Sequence, residues 1–240
     1  MTPLRPSSAA RAALAALLAL SVVTGCKRSS EKKAQGATTQ PSAEAGAVYA
    51  VFETSRGVIG AKLLPGEAPK AVATFVELAT AKKPFKDPLT KETRTGNFYD
   101  GLLFHRAEPG KWIQSGDPAS RDAPLGADNA AGYNFGWTGP GFEFEDELPQ
   151  PGTKLYERPC MVGLTNHGPN TNGSQFFITE VPTPQLEPQT CDRAPSRVCG
   201  WVRIGEGVCG CELVGAIARA GPSQTRLVKV TISDTPPTCQ

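Results

Sequence analysis

Arg106, Gln114 and a scatter of cysteines are the side chains with most chemical promise in this 240-residue sequence, and each has an ordinary reading beside the interesting one. Arg106 alone reads as an arginine on a strand, a surface ion-pair partner. His105 beside it invites a general-base role. His167 is the only other histidine, and no two-Cys plus two-His spacing accompanies the pair, so no metal and no cofactor is expected. Beyond Cys26 there are six cysteines: Cys160, Cys191, Cys199, Cys209, Cys211 and Cys239. An even number in an exported chain favours disulfides, and the sequence does not choose among the many pairings. Cys191 and Cys199 form the best local pair, closing a loop that contains Pro195. Cys209-Gly210-Cys211 is a weak redox motif, since cysteines so spaced more often staple to separate partners.

The elements that must position these residues are mostly strands. Residues 48–55 are β-branched and aromatic, Arg56-Gly57 is a turn, and residues 58–64 continue the pattern, which predicts a hairpin. Pro69 opens a helix with Val72, Phe75, Val76 and Ala79 on one buried face. Residues 82–96 are rich in Lys, Thr and Pro without period, and read as a surface insertion tolerant of change. The apolar runs 102–104, 161–164, 176–178 and 227–232 are short and separated by Gly and Pro, the signature of a barrel or sandwich. A second helix is predicted over 211–220, with Leu213, Val214 and Ile217 on one face and Gly221-Pro222 as its stop.

Four motifs occur in order along this frame. They are Phe104-His105-Arg106; Pro109-Gly110-Lys111-Trp112-Ile113-Gln114-Ser115-Gly116-Asp117; Gly139-Pro140-Gly141-Phe142-Glu143-Phe144-Glu145-Asp146-Glu147; and Asn166-His167-Gly168-Pro169-Asn170-Thr171-Asn172-Gly173-Ser174-Gln175-Phe176-Phe177-Ile178. Together, over residues 48–234, they resemble the cyclophilins. The resemblance implies a mainly β fold, a closed eight-stranded antiparallel barrel with an α-helix over each end, and a substrate groove on its outer wall. It implies peptidyl-prolyl cis-trans isomerase activity: rotation about an Xaa-Pro bond, slow in water because amide resonance sets a barrier of about 18–20 kcal/mol.

No covalent bond breaks in that reaction, so no nucleophile is needed. At the twisted transition state the proline nitrogen loses resonance and becomes an acceptor, and a donor aimed at it binds that state better than either ground state. Arg106 matches the family's catalytic arginine, whose guanidinium offers donors in fixed geometry. Gln114 matches the residue that orders this arginine and bonds the substrate backbone. Asn166 matches a position whose backbone holds the peptide extended, and Phe177 the floor of the proline pocket, while Phe176 points into the barrel by alternation. Thr165, Leu186 and Trp201 complete the expected substrate contacts. His105, alternating with Arg106, is expected on the other face in a structural role, and His167 as a specificity contact. The family usually places an aromatic and a Met where this chain has Lys111 and Trp112, so Trp112 is expected to supply the apolar wall while Lys111 snorkels to solvent. Gln185, where a tryptophan is frequent, implies weak cyclosporin binding. Residues 187–200 are expected to form an enlarged loop beside the groove.

Before the domain, residues 1–25 read as an export signal. The segment 5–11 is basic, 12–23 is apolar but too short to span a bilayer, and Val23-Thr24-Gly25-Cys26 resembles a bacterial lipobox. Cys26 is then the lipidated first residue of the mature chain. Residues 26–46 lack bulky apolar side chains and read as a flexible tether to a domain at 47–240. Lys27 after the cysteine, rather than Asp, favours an outer-membrane anchor facing the periplasm. With a net charge of +2 and no basic stripe, nucleic acid is not an expected partner. The expected clients are unfolded or loop segments containing proline, met by a monomer. A competing reading is a binding module that holds such segments with little turnover, motivated by Lys111, Gln185 and Trp201. A purely structural lipoprotein leaves Arg106 and Gln114 unexplained.

Overall fold

The computed structural model describes residues 46–239, so the expected signal, Cys26 and nearly all of the tether lie outside the described residues. In chain order the elements are β1 (Val48–Thr54), β2 (Gly57–Leu63), α1 (Pro69–Ala79), β3 (Phe85–Lys86), β4 (Thr93–Arg94), β5 (Leu102–Leu103), β6 (Arg106–Glu108) and β7 (Trp112–Ser115). They continue with β8 (Met161–Leu164), β9 (Phe176–Thr179), β10 (Gln189–Cys191), β11 (Ala194–Cys199), β12 (Arg203–Cys209), α2 (Glu212–Ala220) and β13 (Arg226–Ser233). The hairpin β1–β2 is the predicted one, with Thr54 opposite Gly57 at its end. Both helices fall where the apolar spacing puts them. α1 buries Val72, Phe75, Leu78 and Ala79, and α2 buries Val214, Ile217 and Ala218, whereas Val76 and Leu213 are only half-buried at the edges of those faces.

One antiparallel sheet carries the fold, in the order β5-β13-β1-β2-β12-β8-β9-β7-β6. Its two end segments, β5 and β6, belong to one passage of chain interrupted at Phe104 and His105. Nine segments with these two taken together make the expected eight strands. The curl is closed by the covalent chain rather than by a continuous ladder. Phe104 N donates to Thr225 O (3.0 Å) and Ser223 N to Phe104 O (2.8 Å), which holds the break in place. Inside, alternate strand residues meet the helices in a single aromatic-rich core. Phe176 lies 5.2 Å from Phe52 and 5.7 Å from Tyr99, ring centre to ring centre, and Tyr99 lies 4.8 Å from Phe75.

The insertion is more than a tolerant surface loop. Residues 85–86 pair with 93–94, Phe85 is buried edge-on against Phe98 (4.7 Å), and Lys86 N donates to Pro140 O (2.9 Å). One buried apolar residue in a polar stretch gives no periodic signal, yet it is enough to dock the hairpin. The cysteines form three disulfides: the expected Cys191–Cys199, together with Cys160–Cys211 and Cys209–Cys239. Cys209 and Cys211 therefore do go to separate partners. Gly207 makes room for one of them, because a Cβ there would fall 2.0 Å from the Cys160 sulfur.

Candidate active site

The outer wall of β6, β7 and β9 forms one side of a groove of about 800 Å³. Register explains what it displays. Arg106 stands opposite Gln114, and Gln114 opposite Phe177, so the three side chains form a row across the sheet. Phe177 is 2% exposed, with Tyr156 behind it (5.5 Å between ring centres) and Trp112 to one side (6.3 Å). Its ring approaches β8 closely because residue 163 is glycine: a Cβ there would sit 2.4 Å from the ring and 2.3 Å from the Tyr156 hydroxyl. Phe176, one residue earlier, is in the main core, as alternation requires. All eight expected groove residues, Arg106, Trp112, Gln114, Thr165, Asn166, Phe177, Leu186 and Trp201, line this one cavity.

Two of the expected details differ. Among the described residues no hydrogen bond joins Gln114 to the arginine; its Nε2 donates to Gln175 Oε1 (2.9 Å), and Gln175 Nε2 in turn donates to Thr138 O (2.8 Å). Arg106 is held instead by Glu108, whose Oε1 accepts from its Nε, and by the face of Trp112, 5.3 Å from the guanidinium carbon. His105 is not on the opposite face; it lines the groove beside Phe135, since residues 104–105 lie in the break between β5 and β6, where alternation lapses. Burial holds its imidazole below the ordinary histidine pKa, so it is neutral at pH 7 and is no store of protons. Lys111 is half-exposed as expected, and its Nζ donates to Glu108 Oε2 (2.8 Å). Burial pushes the Glu108 carboxyl up, but the hydrogen bonds from Lys111 and Arg106 outweigh it and hold the group below the ordinary glutamate value.

The opposite wall comes from residues 118–138, which sequence reading passed over. Asp117, buried under it, accepts from Gly136 N (2.6 Å), Thr138 N (3.3 Å), Thr138 Oγ1 and Ala119 N (2.9 Å), and so fixes the loop at both ends. Phe135 and Trp137 stand on it. Trp137 stacks on His167 (5.3 Å, 7° between planes) and divides the groove from a neighbouring hollow of about 620 Å³. An aromatic between Gly136 and the run Gly139-Pro140-Gly141 was the available signal. His167 is thus at the groove rim, where a specificity contact is expected. Asn166 uses its side chain internally, donating to Gly200 O (3.0 Å) and accepting from Gly168 N (3.3 Å), so a peptide contact there falls to its main chain. Glu187 starts the enlarged loop by accepting from the backbone N of Leu155 and of Tyr156 (2.8 Å). Among the described residues no cluster of three or more His, Cys, Asp or Glu could hold a metal, and no helix is long and apolar enough to cross a membrane.

A barrel whose outer groove offers a guanidinium beside an apolar floor defines a class, and comparison with known proteins names it. The family model described as cyclophilin type peptidyl-prolyl cis-trans isomerase/CLD matches residues 49–235. Peptidyl-prolyl cis-trans isomerase B of Streptomyces anulatus is 42% identical over 140 residues, covering 58% of this chain and 70% of that protein. Peptidyl-prolyl cis-trans isomerase A of Mycobacterium tuberculosis is 39% identical over 137 residues, covering 57% and 66%. The chain thus spans about two thirds of the length of these relatives. Among solved structures, a cyclophilin type isomerase of Cryptosporidium parvum aligns at a TM-score of 0.57 and 24% identity, over 79% of this chain and 99% of that one. The same protein in the presence of the dipeptide Ala-Pro aligns at 0.56 over 77% and 98%. This chain belongs to the cyclophilin-type peptidyl-prolyl cis-trans isomerase family, and isomerisation of Xaa-Pro bonds is its class of reaction.

Proposed function

We propose that this protein accelerates rotation about Xaa-Pro bonds in polypeptides exported to a bacterial cell envelope, tethered there as a monomer through a lipid on Cys26. The observation that carries the catalytic part is Arg106: its Nε is engaged by Glu108, among the described residues its two terminal nitrogens donate to no protein acceptor, and it lines the same groove as Phe177. Proline packs on the apolar floor, with Trp112, Leu186 and Trp201 around it. As the amide twists, its nitrogen pyramidalises and a terminal guanidinium N–H donates to it; the same N–H finds no such acceptor in either planar ground state.

Exchange of an Xaa-Pro peptide followed by NMR tests this. The wild-type protein is expected to raise the interconversion rate, and Arg106→Ala to lose about a hundredfold of it, the order found when one well-aimed donor is removed. Wild-type protein with intact disulfides and no acceleration would sink the reading. The envelope location is supported by the apolar run, by Val23-Thr24-Gly25-Cys26 and by three disulfides, which persist in oxidising compartments. Its check is fractionation: Cys26→Ser is expected to move the protein from the membrane to the soluble fraction, and retention on the membrane would refute the anchor.

A further inference from the structure

Arg106 is hydrogen-bonded to a neighbour outside the four motifs, Glu108. Glu108 is two residues along β6 and therefore on the same face of the strand. Its two carboxylate oxygens are divided: Oε1 accepts from Arg106 Nε, and Oε2 accepts from Lys111 Nζ at 2.8 Å. Across the ladder Glu108 pairs with Trp112, whose ring lies 5.3 Å from the guanidinium carbon and 5.7 Å from Lys111 Nζ. Gln114, which stands opposite Arg106, donates its amide nitrogen to Gln175, and among the described residues no hydrogen bond joins it to the arginine.

A guanidinium facing a free carboxylate tends to form a two-pronged contact that consumes a terminal nitrogen. Here Lys111 takes the second oxygen, so the carboxylate meets Arg106 at Nε. The ring of Trp112 supports the guanidinium as Glu108 fixes its Nε edge. Both ends of the Arg106–Glu108 pair keep contact with water, with 51% and 26% of the side chains exposed, so the pair adds little to stability. Its consequence is directional.

We propose that Glu108 is a positioning residue for the isomerase reaction: by occupying Arg106 Nε while Lys111 occupies its other oxygen, it aims the two terminal guanidinium nitrogens at the twisting amide. The inference rests on the reading of Arg106 as the donor to that amide. Glu108 touches no substrate; it acts through Arg106.

The test measures peptide exchange at saturating peptide, peptide affinity and melting temperature for the wild type, Glu108→Ala, Glu108→Gln, Arg106→Ala and Arg106→Ala with Glu108→Ala. Glu108→Ala is expected to lower the saturated rate about tenfold while the peptide Kd stays within about twofold, since an effect confined to the transition state appears in turnover and not in binding. Glu108→Gln keeps the shape and an acceptor for Nε and is expected to recover part of the rate; it also decides the matter should the alanine variant melt early. In the Arg106→Ala background, Glu108→Ala is expected to change nothing further, because residues acting through one another are not additive. A wild-type protein that is active while Glu108→Ala keeps its rate overturns the positioning role alone. So does an equal loss in the Arg106→Ala background, or a loss that lies wholly in Kd. An inactive wild type overturns the isomerase reading, and this inference with it.

Discussion

Trp112 lies near both Phe177 (6.3 Å between ring centres) and the guanidinium of Arg106 (5.3 Å from its ring), so one side chain serves both the proline pocket and the donor. Trp112→Ala removes the apolar wall and the cation–π support together, each worth on the order of 1 kcal/mol. A rise in peptide Kd of about tenfold and a fall in saturated rate are expected; calorimetry and NMR exchange would separate the two. Gln185 lines the same groove and lacks an indole N–H. Cyclosporin is expected to bind weakly to the wild type and more tightly to Gln185→Trp, with fluorescence titration as the check. His105 gives a pH dependence. Its pKa is depressed by burial in the folded state, so the unfolded chain binds the proton more readily. Stability is expected to be unaffected above about pH 6.5, the unfolded histidine value, and to decline as pH falls below it. Denaturant titrations across that range should show a shallower decline for His105→Phe; an unchanged slope would contradict the assignment.

Strands and the loops between them set the positions of the groove side chains, and two parts of its wall depend on a missing Cβ and on a buried carboxylate. Gly163 in β8 lets Phe177 and Tyr156 approach the backbone, since a methyl there would fall 2.4 Å from one ring and 2.3 Å from the other residue's hydroxyl. Gly163→Ala must push Phe177 into the groove. It is expected to cost about 1–3 kcal/mol of stability by overpacking and to reduce proline-peptide affinity; a crystal structure of the variant would show the displaced ring. Asp117, at the end of the motif that also contains Gln114, anchors the loop bearing Phe135 and Trp137. Its presence in the motif was plain from sequence, whereas its task was not, because its partners lie up to 21 residues away.

Three disulfides join the start of β8 to the start of α2, β10 to β11, and β12 to the C-terminal tail. Cys160–Cys211 closes 51 residues, Cys209–Cys239 closes 30 and Cys191–Cys199 closes 8. Loop-closure entropy ranks them in that order, the longest contributing roughly 4 kcal/mol and the shortest roughly 2.5. Paired Cys→Ala variants compared by chemical denaturation are expected to follow this ranking, and a largest loss from the 191–199 pair would contradict it. That pair should instead alter peptide affinity, because its hairpin lies between Leu186 and Trp201 of the groove.

Local spacing fixed a great deal here. Period-2 and period-3.6 patterns placed the first hairpin, both helices and the short strands, and the motifs held five of the eight groove residues, Arg106, Trp112, Gln114, Asn166 and Phe177, because those signals are written in neighbouring residues. Contacts between distant segments were not written there. Glu108 rather than Gln114 holds Arg106, His105 turns toward the groove at a strand break, residues 118–138 build its far wall, Phe85 docks the insertion, and four of the six cysteines find partners 30 or 51 residues away. Which of several chemically suitable partners a side chain meets depends on where the curled sheet brings segments together, and that is a property of the packed chain.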